Sequence, residues 1–272
     1  MKILRMMVLS LFVMTLGVYG FFHFYNKSHT DLSYPVISYT NDVLDVSVAD
    51  EKEDLLYDVT AFDEKDGDLT DKIIIEKISN FVEKGISNIT YAVIDHDNHV
   101  AKATRRIRYL DYMPPYFTFS QAMRFELGSD FNVLSIIGAK DMIDGDVTNK
   151  IKLTSSDLSV SLPGVYKMQA QVTNSKGDVR YLQFAVTMYE GTRNGPKIYL
   201  KDYLIYLSVG DAFDAASYVD QVMRGDTVLK GLTVTVDSDV NTAKAGNYQA
   251  DYFVTDENGL TATTSLIVIV EE

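Results

Sequence analysis

Gly85–Asn98 reads GISNITYAVIDHDN, and its pattern returns as GVYKMQAQVTNSKG from Gly164 and GNYQADYFVTDENG from Gly246. Apolar and polar residues alternate after each glycine. The apolar set is Ile89, Tyr91 and Val93 in the first copy, Tyr166, Met168, Ala170 and Val172 in the second, and Tyr248, Ala250, Tyr252 and Val254 in the third. A period of two is that of a strand with one buried face. Each strand runs into a short turn, DHDN, NSKG or DENG, whose last residue is Asn98, Gly177 or Gly259. Glycine and asparagine tolerate the φ > 0 that such a turn demands. The chain then returns through HVAKATRRIRYL, DVRYLQFAVTMY or LTATTSLIVIV, so the reading gives three β-hairpins.

The openings of the repeats align as well. PVISY begins at Pro35, PYFTF at Pro115 and PKIYL at Pro196, a period of about 80 residues. Proline suits a strand at a sheet edge, where the ladder needs no amide from it. The segments between repeats, DYMPP and EGTRNGP, are short and rich in turn residues, unlike flexible tethers. The boundaries that follow are 33–112, 113–190 and 196–272. Many short strands in about 80 residues predict an all-β chain of three tandem antiparallel β-sandwich modules, with one helix at the N-terminus.

A second motif sits between opening and hairpin. Residues 63–73 read DEKDGDLTDKI and residues 141–151 read DMIDGDVTNKI. Together with the entry proline, the A-x-D-x-x-D-G-D-[LV]-T-x-K-I stretch, G-x-Y, and V-T-D-x-x-G before the last hairpin, this resembles the immunoglobulin-like repeats of Gram-positive surface proteins, also found appended to some crystal toxins. The resemblance covers residues 33–272. In the third module the acidic stretch has decayed to DQVMRGDTVLKGL. The resemblance implies an Ig-like fold and an extracytoplasmic role, and it implies no activity.

Two readings of the acidic motif compete. Calcium takes six to eight oxygens, which makes Asp63, Asp66, Asp68, Asp141, Asp144 and Asp146 weak ligand candidates. Their spacing is not that of an EF-hand loop, and Arg224 is aligned with Asp66 and Asp144, where a cation would oppose a metal. The turn reading explains more: Gly67 or Gly145 takes φ > 0, the aspartates bond nearby amides, and Thr70 or Thr148 stabilises the exit. Asp95, His96, Asp97 and His99 contain the elements of a zinc set, but side chains diverge around a hairpin turn, so a solvated loop is expected. The four histidines and the missing phosphate-loop patterns leave no triad and no nucleotide cradle to assemble. No cofactor and no catalysis are expected. The basic run Lys102–Tyr109 reads as a charged edge strand, with a polyanion contact as the sharper alternative.

Composition narrows the partners. A net charge of −13 repels phosphate backbones, which excludes nucleic acid as an expected partner. The chain has no cysteine, so disulfides, thiolate metal sites and a lipid-modified cysteine are all ruled out. At the N-terminus, Lys2 and Arg5 precede an apolar run from Met6 to Tyr25. About 20 such residues span a bilayer core, and the flanking positive charge places that end in the cytoplasm. Residues 1–30 are therefore read as a cytoplasmic stub and a signal-anchor helix in the cell membrane, the alternative being secretion after cleavage near Gly20. The expectation is a non-enzymatic, single-pass bacterial envelope protein acting as a spacer or an adhesion or ligand-binding arm. Its ligand would be a protein or a cell-wall polysaccharide. An accessory subunit of a polysaccharide or wall-assembly machine is the alternative.

Overall fold

The computed structural model describes residues 2–29, 33–191 and 195–272. Residues 192–194 of EGTRNGP lie outside them, as do Met1 and Thr30 of the N-terminal segment. An α-helix runs Lys2–His29, and among the described residues all the regular structure after it is β-strand and short 3-10 turns. The chain divides into two compact units, Met1–Leu110 and Asp111–Glu272.

Each repeat is a pair of sheets. In the first module, Val36–Tyr39, Val59–Asp63 and Gly67–Asp68 form a three-stranded sheet, while Val43–Val46, Val100–Tyr109, Ile86–Ile94 and Ile74–Glu83 form a four-stranded one in that order. The second module pairs Tyr116–Phe119, Ile137–Asp141 and Gly145–Asp146 against Lys152–Ser156, Gly164–Thr173, Val179–Tyr189 and Arg124–Glu126. The third pairs Lys197–Leu200, Val219–Arg224 and Thr227–Val228 against Leu204–Ser208, Thr261–Glu271, Gly246–Thr255 and Thr235–Ser238. Pro35, Pro115 and Pro196 immediately precede the outermost strand of the smaller sheet each time. After that strand the chain crosses to the other sheet and runs parallel to the module's last strand.

The alternating residues fill the sandwiches. Ile89, Tyr91 and Val93 are fully buried, as are Ala170 and Val172 and, in the third module, Ala250 and Tyr252. Tyr91 and Tyr252 occupy matching places, and each phenol donates to a 3-10 turn carbonyl, Leu55 at 2.7 Å and Ala215 at 2.8 Å. Burial pushes the Tyr252 phenol up to about 12, so it stays a neutral donor. The second module has Ala170 at that place, and Phe119, Phe125 and Phe184 occupy its core. The turn residues Asn98, Gly177 and Gly259 have φ of 69°, 81° and 77°.

The basic run is an edge strand in its first half only. Val100–Tyr109 pairs along its length with Ile86–Ile94, and the crossing segment Val43–Val46, a strand that the residue pattern does not reveal, covers Arg106–Tyr109 on the other side. Arg105 points inward with Ile107 and is 3% exposed. Its guanidinium bonds Asp58 at 2.5 Å, the Tyr57 carbonyl at 2.8 Å and the Tyr91 phenol at 2.9 Å, and it lies 5.4 Å from the centroids of the Tyr39 and Tyr91 rings. Burial opposes ionisation of Asp58, but the hydrogen bond and charge of Arg105 outweigh it and hold the carboxyl below its usual range. On the outer face, Arg106 pairs with Glu83, Arg108 bonds Asp45 through two nitrogens, and Lys102 pairs with Glu76. The run's cations are thus matched locally, which leaves little positive charge for a polyanion.

The second and third modules lie side by side within their unit. Along Thr261–Glu271, Leu266, Val268 and Val270 enter the third module's own core, while Ile267 and Ile269 join the second module's core together with Leu204. Fully burying such side chains contributes about 1.5–3 kcal/mol each. Both faces of this strand are covered, which is why LIVIV shows no alternation.

Asp58 has φ 59°, a conformation that asparagine also accepts, so Asp58→Asn isolates the charge. Uncoupling a buried ion pair costs about 3–5 kcal/mol. Urea denaturation of Asp58→Asn should show the first module destabilised by about that amount and the other two unchanged.

Candidate functional site

The acidic loops lie at the end of each module where the short sheet stops, beside the turn of the closing hairpin. Their residues divide the work of holding that end. Asp63 is 1% exposed and accepts the amides of Lys65 at 2.8 Å and Asp66 at 3.0 Å. Asp141, 5% exposed, accepts from Ile143 at 2.9 Å and Asp144 at 2.8 Å in the same way. Gly67 and Gly145 then take φ of 78° and 71°. Asp68 and Asp146 accept the amides of Thr70 and Thr148 at 2.9 Å, and those threonine hydroxyls accept the amides of Ala61 and Ala139. Leu69 and Val147 turn into the core. These positions of the repeated motif therefore do the same job in both copies.

The remaining aspartate reaches across to the hairpin. Asp66 accepts the His96 amide and Asp144 the Ser175 amide, both at 2.7 Å. The hairpin turn is itself built on one Asx residue per module: Asp95, Asn174 and Asp256 accept the amides of His99, Asp178 and Leu260. In the second module the two buried side chains meet directly, Asn174 donating to Asp141 at 3.1 Å. In the third, Arg224 forms an ion pair with Asp256. In the first, two carboxylates hold the places: Asp95 is 2.8 Å from Nδ1 of His99, and Asp63 takes the Ser33 hydroxyl at 3.2 Å. The linker is fastened here too, Tyr112 donating to Asp178 at 2.6 Å. Burial, together with the Asp178 carboxylate, pushes that phenol far up.

The alignment of Arg224 needs correcting. Strand register places Arg224 opposite Thr227, as Asp63 is opposite Gly67 and Asp141 opposite Gly145. Arg224 thus matches Asp63 and Asp141, not Asp66 and Asp144. The third module's turn is one residue shorter, which hid the match in the sequence. The burial of the first aspartate and the reach of Asp66 and Asp144 to the hairpin were also missed. The available signal was the nearly constant spacing of acidic motif and Asx turn, 32 residues from Asp63 to Asp95 and 33 from Asp141 to Asn174.

All six calcium candidates accept at least one backbone amide. Among the described residues no group of three or more histidine, aspartate or glutamate side chains gathers as a metal set. The histidine cluster diverges: His99 goes to Asp95, His96 to Asp66, and Asp97 pairs with Lys65.

These sandwiches define a tandem Ig-like β protein with a hydrophobic N-terminal helix. The third module matches the family described as "Bacterial surface protein, Ig-like domain" across residues 201–270. Pesticidal crystal protein Cry22Aa of Bacillus thuringiensis is 29% identical over 220 residues, 77% of this chain and 29% of the relative. An uncharacterized 81.3 kDa protein of Acholeplasma phage L2 is 25% identical over 49% of this chain and 18% of its own length. The chain thus spans less than a third of either curated relative. Among solved structures, a Clostridium perfringens ZmpB fragment holding CBM51-2 with GlcNAc and INT domains is similar at 15% identity and a TM-score of 0.27, covering 55% of this chain and 26% of that one.

Hydrogen bonds from His96 to Asp66, and from Thr70 and Thr148 to Asp68 and Asp146, hold these carboxyls below their usual range. Burial pushes Asp144 up, but bonds from Lys150 and Ser175 outweigh it, and the net direction is again down. Groups depressed on folding contribute stability that is fully present above the unfolded value, near pH 4, and is lost as pH falls through the folded values. The thermal midpoint should therefore hold from about pH 8 to 5 and drop below about 4. A double Asp66→Asn, Asp144→Asn variant should show a shallower drop.

Open space surrounds the Cα of Gly67, so a side chain there meets only the φ constraint. Gly67→Ala should cost about 1–2 kcal/mol in denaturant titrations and Gly67→Asn clearly less.

Proposed function

We propose that the chain is a non-enzymatic, membrane-anchored extracytoplasmic protein of a bacterial envelope, whose Ig-like modules, at 33–112, 113–190 and 196–272, form a binding arm. The observation that carries this reading is the pairing of one helix with these modules. Ile3–Tyr25 is long and apolar enough to cross a membrane, and none of its hydrophobic window is buried in the protein. The apolar surface needs a nonaqueous environment, which a bilayer supplies. The surface-protein family matched by the third module supports the outward placement. Lys2 and Arg5 at the other flank favour a cytoplasmic N-terminus.

The acidic loops are structural in this reading. Their carboxylates accept the backbone amides that shape the turn, and among the described residues they do not gather as a metal set. Binding is favoured over a spacer role because the second and third modules lie beside one another, which gives up reach. The ligand is a cell-wall polysaccharide or a protein, and no nucleic acid is expected.

Protease added to intact cells should degrade the modules, and the mature chain should begin before Phe21; a new N-terminus at Phe21 would make the protein secreted. The purified protein in detergent should sediment with isolated cell walls, and stripping the wall polysaccharide should abolish this if the polysaccharide is the ligand. No retention, with cross-linking in cells to wall-assembly proteins, would select the accessory-subunit alternative.

A ligand at a hundredfold excess over its dissociation constant adds about 2.7 kcal/mol. Millimolar calcium or its chelation should leave the melting midpoint of the protein essentially unmoved. A rise of about 10 °C that vanishes in Asp66→Ala would overturn the structural assignment of the loops.

A further inference from the structure

The last strand of each module carries two outward positions flanking a buried one, and the three modules fill them differently. They are Arg106 and Arg108 around Ile107, Ala185 and Thr187 around Val186, and Ile267 and Ile269 around Val268. In the first module the arginines are exposed and ion-paired. In the third the isoleucines are each 7% exposed, although they face away from their own core. They are covered by the second module, whose small Ala185 and Thr187 border the same narrow gap as Ile267 and Tyr203. Small residues on one sheet thus admit large apolar ones from the other.

Polar contacts fix the register of this packing. The Phe117 amide, on an outermost strand of the second module, donates to the Tyr206 hydroxyl at 3.0 Å. The Tyr206 ring meets Tyr116 edge to face at 6.2 Å, and the Arg180 guanidinium lies 5.7 Å from its centroid. Arg180 also pairs with Glu271 at the end of the third module's last strand. Asn247 donates to the Gln183 carbonyl at 3.4 Å. Separating the modules would expose three large apolar side chains on one and open an edge amide on the other.

We propose that the second and third modules, packed together through the outer face of Leu204–Ser208 and Thr261–Glu271, open as one cooperative unit. The Ala–Thr and Ile pairs make the fit between the second and third modules, small residues receiving and isoleucines inserting, whereas the first module carries ion-paired arginines at the same positions. The third module is therefore not an independent binding domain. This face is closed to outside ligands, which leaves the other surfaces of the unit for binding.

Hydrogen exchange of the full chain in detergent, followed through a denaturant series, tests it. Gly164–Thr173 and Gly246–Thr255 should lose protection at the same denaturant concentration; well-separated losses would overturn the proposal. Ala185→Arg puts the first module's residue into the second, and it should speed exchange in Gly246–Thr255, which it does not belong to, by at least about tenfold. Unchanged exchange there would also overturn it. Should that variant fail to fold, Tyr206→Phe decides. It removes one acceptor at the contact, so exchange at the Phe117 amide should rise while the core strands stay protected, and an unaltered Phe117 amide would refute the docked geometry.

Discussion

A buried polar contact between the end of the short sheet and the closing hairpin is the constraint on which each sandwich depends. The small sheet ends in a strand of only two residues, so backbone ladders cannot seal that edge of the core. Side chains do it instead, and once buried they need partners, because an unsatisfied polar group there costs more than the bond returns. The three modules meet the requirement with different chemistry at one location: in the first, Asp66 accepts the His96 amide beside carboxylates satisfied by Ser33 and His99, in the second an amide bonds a carboxylate, and in the third a guanidinium pairs with a carboxylate. The position is fixed by geometry and the residue types are not. The acidic motif resembles a ligand site because holding a turn and holding a cation both call on carboxylate oxygens.

Much of this architecture was legible from residue order. The hairpins followed from a period of two around Tyr91, Met168 and Tyr252, and the turn residues at φ > 0 followed from glycine and asparagine alone. The roles of Gly67, Thr70 and their counterparts were also readable, since they act within a few residues. What acts across the fold was not. Arg224 was misaligned because a turn shortened by one residue shifts the register, and Asp66 gives no local sign that it will reach His96. All of Lys102–Tyr109 reads as an edge because Val43–Val46, the strand covering its second half, has four residues and little pattern of its own. The inward turn of Arg105 is invisible without Asp58, which lies 47 residues away. LIVIV, by contrast, carried its message openly: an apolar run without alternation calls for two covered faces.

Function is less legible for a related reason. Turn formation, core filling and module docking absorb most of the polar and charged residues that draw attention in the sequence. The helix is the exception, since its exposed apolar length is not explained by anything else in the protein. In the basic run Lys102, Arg106 and Arg108 each pair with a carboxylate, which leaves that run little charge for a polyanion in a chain of net charge −13.

The crossing of the first strand between sheets has a mechanical meaning. In every module the entering segment lies parallel to the departing one: Val43 beside Arg106, Arg124 beside Thr187, Leu204 beside Ile267. Tension applied between the two ends of a module draws these neighbours in opposite directions along their length. Their hydrogen bonds are then loaded together in shear, where a hairpin arrangement would let them break in succession. A chain tethered at one end and pulled at the other would meet its strongest resistance at this junction, near the point where the load enters.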